Sequence, residues 1–192
     1  MESSLKILRD RGTGTAEFRR AAQIMCGHLM QKTRVLVCEH GGNPHRAIIV
    51  IILRAAIVFF DAAVQAFPGV PVGVFGLKRD EHTLNPRRYY ENLPPVSPKN
   101  VIIILDPMLA TGGTAEATVE RLKERGADSK NIYFVGIVAA PEGRTRLAKL
   151  IPEKNIILGA VDQGLDEHSG IVPGIGDFGD RYFGYAGRAI ID

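Results

Sequence analysis

Residues 101–118 read VIIILDPMLATGGTAEAT and contain the elements that decide the fold. The first five are Val, Ile or Leu, a run typical of a strand buried on both faces. Asp106 follows this run, Gly112 and Gly113 allow the backbone to approach a ligand closely, and a helical pattern begins at Thr114. This order predicts an open parallel sheet that binds its ligand at the carboxyl ends of the strands.

The same alternation continues on both sides of this stretch. Further runs rich in Val and Ile predict strands over residues 47–53, 70–77, 132–138 and 156–161. Helical patterns predict helices over residues 55–67, 114–125 and 142–150. Pro141 suits the first turn of the last helix, and an earlier helix has an apolar stripe from Phe18 to Met30 with Thr15 as its N-cap. The pattern predicts an α/β fold, with a mainly parallel sheet flanked by helices.

Two segments depart from the alternation. Residues 78–100 are polar, contain four prolines and the pair Tyr89 and Tyr90, and are interpreted as a flap or hairpin arm. From Asp162 onward, seven glycines up to residue 187 predict a tail without regular elements of any length. We expect residues 1–192 to form a single domain, because the chain is too short for two ordinary cores.

Composition excludes several classes of protein. The net charge of +3 is not gathered into a basic arm, so a nucleic-acid partner is not expected. No apolar run is long enough to span a membrane and the N-terminus has no signal-peptide core, so the chain is expected to be soluble and cytoplasmic. Cys26 and Cys38 have no metal-ligand spacing and are expected to be buried, reduced thiols.

The loop after residue 105 suits a sugar phosphate. The free N–H groups of residues 111–115, at a helix N-terminus, are expected to point toward an anion, with hydroxyl donors on Thr111 and Thr114. Asp106 is placed to accept hydrogen bonds from two neighbouring sugar hydroxyls. Alternatively, Asp106 only stabilises a turn and the glycines only close a tight connection. A Walker A loop is excluded because no lysine follows Gly113.

The nine residues from Asp106 to Thr114 resemble, almost letter for letter, the phosphoribosyl diphosphate loop of the uracil phosphoribosyltransferases. The resemblance extends from Leu5 to the C-terminus and is weak over residues 31–48, where the chain is shorter than typical members. It implies a type I phosphoribosyltransferase fold. It also implies that ribosyl diphosphate contacts Asp106, Pro107, Met108, Leu109, Ala110, Thr111, Gly112, Gly113 and Thr114.

Two arginines match further family motifs. The sequence ILRAA at residues 52–56 resembles the family's diphosphate-binding loop, which assigns Arg54 to the diphosphate. The sequence GLKRD at residues 76–80 resembles the start of the family's hairpin arm, which assigns Arg79 to the ribosyl diphosphate. Apart from the resemblance, each of these arginines would more often be a solvated charge at a strand end.

The tail resembles the family's uracil-binding segment over residues 162–184. Ile171, Gly176, Asp177 and Phe178 map to the base site, and Asp177 also maps to a position that contacts the ribosyl diphosphate. Backbone N–H and C=O groups held by glycines suit uracil, whose carbonyls and N3–H can pair with them. The tail also contains a G-x-G-x-x-G pattern and a D-F-G triplet, and neither has the flanking elements that its usual function requires.

The resemblance implies an enzyme of pyrimidine salvage that converts uracil and 5-phospho-α-D-ribose 1-diphosphate to UMP and diphosphate. Asp106, Arg54 and Arg79 would be its catalytic residues. Mg²⁺ would be bound through diphosphate and water without a direct protein ligand. A homo-oligomer, dimer or tetramer, and a nucleotide effector are further expectations.

Two alternatives stay open at the level of sequence. Ala56 stands where the family has glycine, and the segment before residue 48 is short. These departures favour a catalytically weak or inactive module that binds ribosyl diphosphate or a nucleotide. Phe178 stands where a smaller residue is common, which favours a transferase for another base.

Overall fold

The computed structural model describes residues 1–79 and 86–185, with the side chains of residues 78, 79 and 86 excepted. Its main sheet has seven strands, β1 (Ala47–Leu53), β2 (Val72–Arg79), β3 (Pro86–Asn92), β4 (Val101–Leu105), β5 (Met108–Leu109), β6 (Ile132–Ala139) and β7 (Ile156–Val161). Their order is β3-β2-β1-β4-β6, and both β5 and β7 pair with β6. All pairs are parallel except β2 with β3, which confirms the predicted α/β fold.

The helices are α1 (Glu2–Arg9), α2 (Thr15–Glu39), α3 (Phe60–Ala66), α4 (Gly113–Glu124), α5 (Pro141–Ala148) and α6 (Phe178–Phe183). A 3₁₀ helix, Ala55–Phe59, joins β1 to α3. Two short strands, β8 (Gly164–Leu165) and β9 (Ile171–Val172), form an antiparallel pair in the tail. Within the described parts of the chain, no helix is long and apolar enough to cross a membrane.

Alternate residues of the central strands enter two separate cores. In β1, Ile49 and Ile51 pack with α1, α2 and α6 on one face of the sheet. Ile48 and Val50, together with residues of α4 and α5, form the core on the other face. Because both faces are covered, the central strands are continuous apolar runs, as expected for parallel strands.

Several predicted boundaries are wrong at the N-terminal end. Thr15 is the first residue of α2 rather than its N-cap, which is Gly14, and the helix continues to Glu39. Helix α1 was not predicted, because its apolar residues, Leu5 and Leu8 among them, are few between charged and polar ones and give no clear helical pattern. Residues 55–67 form a 3₁₀ helix followed by α3 instead of one helix.

Other differences lie at β2, in the tail and at a cysteine. Strand β2 starts two residues later than predicted and ends at Arg79, where it pairs with Pro86 of β3. The tail contains the six-residue helix α6, which Asp177 caps by accepting a hydrogen bond from the N–H of Asp180 at 2.8 Å. Cys26 is buried as expected, whereas Cys38 is exposed.

Candidate active site

The loop between β4 and α4 is fixed by hydrogen bonds to the end of β6. The carbonyl of Pro107 accepts hydrogen bonds from the N–H groups of Ile137 and Val138, at 2.9 and 3.1 Å. The carbonyl of Leu109 accepts one from the N–H of Ala140 at 2.9 Å. The backbone of the loop is therefore positioned before any ligand binds.

A small cavity of about 120 Å³ lies within this loop. It is lined by Asp106, Met108, Leu109, Ala110, Thr111, Gly112, Gly113, Thr114 and Ala115. Gly112 has a φ of 80° and caps α4, so the first N–H groups of that helix lack intrahelical partners. Since one water takes up about 30 Å³, the cavity has room for a phosphate group. The structure thus brings together all the residues predicted from this loop except Pro107, whose carbonyl anchors it.

A larger depression of about 910 Å³ lies beside the loop, between α4 and α5. It shares Thr111 with the small cavity and is crossed by an ion pair between Arg146 and Glu116. It is open to solvent, and its charged groups neutralise each other. The small cavity, where the helix N-terminus and Asp106 converge, is therefore the candidate phosphate site.

Asp106 lies at the carboxyl end of β4 and is partly exposed to the cavity. Burial raises the pKa of its carboxyl group to about 7, against the smaller opposing effect of a hydrogen bond from the N–H of Met108 at 3.2 Å. The turn-stabilising role considered from the sequence is therefore present in this hydrogen bond. Among the described residues, no group pairs with the second carboxylate oxygen, which leaves it for a ligand hydroxyl.

Arg54 follows β1, next to the end of β4, because β1 and β4 pair in parallel up to Ile51 and Leu105. Its guanidinium lies 3.9 Å from the carboxylate of Asp180, and its side chain is 60% exposed. The rings of Phe183 and Tyr185 each lie 5.9 Å from its central carbon. The structure therefore brings the exposed guanidinium of Arg54 to the tail. The side chain of Arg79 lies outside the described residues.

The predicted base-site residues extend from β9 to the start of α6. The side chains of Ile171 and Phe178 are buried, and the Phe178 ring packs 5.3 Å from that of Phe18. Because the ring belongs to the core, it does not narrow a pocket, and only backbone groups of Phe178 remain to contact a base. Gly176 has a φ of 73°, and a β carbon there would overlap the guanidinium of Arg11. Asp177 is exposed at the start of α6.

Two other arginines attach α1 to the tail, and neither role was predicted from the sequence. Arg9 forms two hydrogen bonds to the carboxylate of Asp162, at 2.9 and 2.5 Å. Arg181 is buried and donates hydrogen bonds to the carbonyls of Leu8, Ile175 and Asp10. Both join residues more than 150 positions apart, which no local pattern reveals.

Helix α5 contacts both the loop and the tail. The carboxylate of Glu142 accepts a hydrogen bond from the N–H of Leu165 at 3.3 Å. A β carbon on Gly143 would lie 2.9 Å from the carbonyl oxygen of Leu109 and closer still to that of Ala110. Position 143 therefore has to be glycine for α5 to pack this closely against the loop.

Ala56 does not occupy a position that requires glycine. It has a negative φ within the 3₁₀ helix, and its side chain is 0% exposed and belongs to the core beneath α2. The methyl group therefore fills space in the core instead of entering the diphosphate site. The structure therefore gives no reason to expect that alanine in place of the family's glycine at position 56 weakens activity.

Comparison with known proteins identifies this arrangement. A family model described as uracil phosphoribosyltransferase matches residues 1–185. The chain belongs to the uracil phosphoribosyltransferase family. A uracil phosphoribosyltransferase of Caldanaerobacter subterraneus subsp. tengcongensis is 39% identical over 198 residues, which cover 96% of this chain and 93% of that protein. That of Thermus thermophilus is 38% identical over 198 residues, with 96% and 94% covered.

Comparison with solved structures concerns the fold. The AQ2163 protein of Aquifex aeolicus is 31% identical with a TM-score of 0.78, over 95% of this chain and 93% of that one. A purine phosphoribosyltransferase of Pyrococcus horikoshii is 15% identical with a TM-score of 0.55, over 73% and 84%. The second match shows the fold alone. This member of the family thus has a phosphoribosyltransferase fold.

Proposed function

We propose that the protein is a uracil phosphoribosyltransferase, which forms UMP and diphosphate from uracil and 5-phospho-α-D-ribose 1-diphosphate. The observation that carries the proposal is the cavity at the start of α4, in which Asp106 and the free N–H groups of the helix line one phosphate-sized space. Family membership over nearly the whole chain supports it. No observation favours an inactive module, since the methyl group of Ala56 is buried in the core.

In this proposal the reaction is a displacement at the anomeric carbon. A bond forms between C1′ and N1 of uracil, the bond from C1′ to diphosphate breaks, and diphosphate leaves with the electron pair while the N1 proton passes to solvent. The loop holds the 5′-phosphate, Asp106 accepts hydrogen bonds from the ribose hydroxyls, and Arg54 binds the leaving diphosphate. Catalysis then rests on positioning and on charge neutralisation, without a covalent intermediate.

Mg²⁺, if bound, would neutralise the diphosphate and polarise its bond to the ribose. The side chains present fit a metal held mainly by substrate. Across residues 1–79 and 86–185, no three His, Cys, Asp or Glu side chains gather into a metal-binding cluster. Mg²⁺ commonly binds through substrate phosphates, water and one or two carboxylates. Asp106 lines the proposed phosphate cavity, and Asp177 is an exposed carboxylate at the start of α6.

The direct test is UMP formation from uracil, ribosyl diphosphate and Mg²⁺, followed by chromatography. Cytosine, adenine, hypoxanthine and a reaction without base serve as controls. We expect product with uracil alone. Asp106→Asn is expected to fold normally and to lower turnover at least a hundredfold, because a ribose contact and its charge are lost. Absence of product with every base, from protein that binds ribosyl diphosphate in calorimetry, would contradict the proposal.

Other expectations stay predictions. They are a homo-oligomeric state, a nucleotide effector, a cytoplasmic location, a requirement for Mg²⁺ and the individual roles of Arg79 and Asp177. Exposed aromatic residues on β3, Tyr89 and Tyr90, support a subunit contact at that edge of the sheet. Sedimentation of the purified chain measures the oligomeric state.

A further inference from the structure

The carboxylate of Asp162 is almost completely buried at the start of the tail. Its side chain is 2% exposed, and Arg9 is its charged partner. Burial alone raises the pKa of the Asp162 carboxyl, but hydrogen bonds from Arg9 and from the N–H of Gly174 outweigh burial and lower it. Asp162 is therefore ionised at neutral pH, and the pair acts as a fixed, charged hydrogen-bonding unit.

This unit holds both main-chain polar groups of Gly174. The N–H of Gly174 donates to the Asp162 carboxylate at 2.8 Å, and its carbonyl accepts from the Arg9 guanidinium at 3.1 Å. Gly174 has a φ of 61°, and a β carbon there would overlap the carbonyl oxygen of Ile171. The unit therefore fixes a backbone path that glycine alone adopts readily.

Gly174 lies between Ile171 and Gly176, two positions of the proposed base site. Because its own N–H and C=O groups are occupied, recognition of the base falls to the main-chain groups on either side. Their positions depend on the path of Gly174. A loop fixed in advance binds its ligand more tightly, because less conformational entropy is lost on binding.

We propose that Arg9 and Asp162 are positioning residues for the uracil site, acting through Gly174. The proposal rests on the proposed function. Neither side chain is assigned to touch the base, and the phosphate loop is held separately by β6. Loss of the pair should therefore weaken binding of uracil and leave binding of ribosyl diphosphate nearly unchanged.

The test is a steady-state comparison of Arg9→Gln, Asp162→Asn and the double variant with the unaltered enzyme. We expect Arg9→Gln to raise the KM for uracil about tenfold and to leave the KM for ribosyl diphosphate within about twofold, as the separate anchoring of the two sites requires. The double variant should be no worse than the poorer single variant, because both changes break the same unit. Arg9→Lys keeps the positive charge but loses the planar guanidinium, so its KM for uracil should lie between those of the unaltered enzyme and Arg9→Gln.

A matched control is Arg34→Gln. Arg34 also donates to a backbone carbonyl, that of Ala66 at 2.6 Å, and lies beside Phe67, near the start of β2 and away from the tail. We expect this variant to lose stability without a change in the KM for uracil.

Helix α1 should stay docked in Arg9→Gln, because Leu8 is buried and its carbonyl is held by Arg181. If Arg9→Gln does not fold, Arg9→Lys decides the question.

The outcomes separate the two proposals. If the unaltered protein forms no UMP, the proposed function fails. If it forms UMP but Arg9→Gln leaves the KM for uracil unchanged, the positioning role is wrong. The same result with Arg9→Lys decides the question if Arg9→Gln does not fold. The positioning role would also be wrong if Arg9→Gln raised the KM for uracil and the KM for ribosyl diphosphate equally, or if the Arg34→Gln control raised the KM for uracil. A general loss of structure would then explain the effect.

Discussion

The α carbon of Gly143 lies directly against the carbonyl of Ala110, so that a β carbon at position 143 would overlap the carbonyl oxygen. The contact joins α5 to the phosphate loop through backbone atoms alone. Since backbone atoms cannot rotate away as a flexible side chain can, any residue larger than glycine must displace the loop or the helix.

Gly143→Ala is therefore expected to lower kcat/KM for ribosyl diphosphate at least tenfold, because the loop N–H groups would be displaced from the phosphate. Steady-state kinetics and calorimetry with ribosyl diphosphate measure the effect. Gly27→Ala is the matched control, because Gly27 also lies in a helix and a β carbon there meets nothing within 4 Å. The control should keep full activity and gain up to about 1 kcal/mol of stability.

Asp106 is expected to couple substrate binding to proton release. Burial raises its pKa to about 7 in the free protein, and ribose hydroxyls that donate to the carboxylate would lower it again. Affinity for ribosyl diphosphate should thus rise with pH through about 7. Calorimetry in two buffers of different ionisation enthalpy counts the released protons.

Asp106→Asn should abolish the part of the proton release that belongs to the protein and keep the part that belongs to the ligand phosphates. The same carboxyl affects stability in the free protein. Because its folded pKa is raised, its contribution is most favourable below about pH 4 and is lost as the pH rises to about 7. Unfolding midpoints of the asparagine variant should change less over that range, and identical pH profiles would contradict the assignment.

Ala56→Gly is expected to leave kcat within about twofold of the unaltered enzyme, since the methyl group does not reach the substrate cavity. Its removal from the core, together with the added backbone freedom, should lower the free energy of unfolding by about 1 kcal/mol. Urea denaturation and UMP formation measure the two quantities. A several-fold gain in kcat would instead show that the alanine hinders the diphosphate site.

Glu91 is expected to attach β3 to α4 through charge. Its carboxylate accepts three hydrogen bonds from Arg121, at 2.9, 2.9 and 3.2 Å, and has Arg88 and Arg125 nearby. The hydrogen bonds from Arg121 and the three positive charges lower the pKa of Glu91 below its usual value. Its stabilising contribution is therefore present above about pH 4.3 and lost as the pH falls through the lowered folded value.

Glu91→Gln should lower the free energy of unfolding by about 1–3 kcal/mol at pH 7, because a largely buried carboxylate loses charge-assisted bonds. Denaturation at pH 7 and at about pH 3 should show the difference shrinking at the lower pH. Glu153→Gln, which breaks an exposed pair with Arg144, serves as the control and should change stability by less than about 1 kcal/mol.

The sheet and the phosphate loop were predictable because their signals are local. Runs of apolar residues at 47–53, 101–105 and 156–161 define strands whose bounds match the structure, since no polar position interrupts them. The glycines and threonines after Asp106 carry their signal within a few positions. Local sequence was sufficient wherever a segment determines its own conformation.

Contacts between distant segments were not predictable. Arg9 and Arg181 are ordinary charged residues in sequence, and only the folded chain brings them to Asp162 and Leu8. The packing of the Phe178 ring against Phe18 was likewise not indicated by any motif. These side chains owe their roles to tertiary packing, which periodicity and motif spacing do not encode.

The attachment of α1 to the tail has a consequence for how the chain matures during translation. The hydrogen bond between Arg9 and Asp162 spans 153 positions, and that between Arg181 and Leu8 spans 173. Domains form as their segments leave the ribosome, so α1 can pack against α2 early, whereas its hydrogen bonds to the tail must wait for almost the last residues. Until then α1 lacks the hydrogen bonds that hold it to the tail, and premature termination before residue 162 would leave the guanidinium of Arg9 without its carboxylate partner.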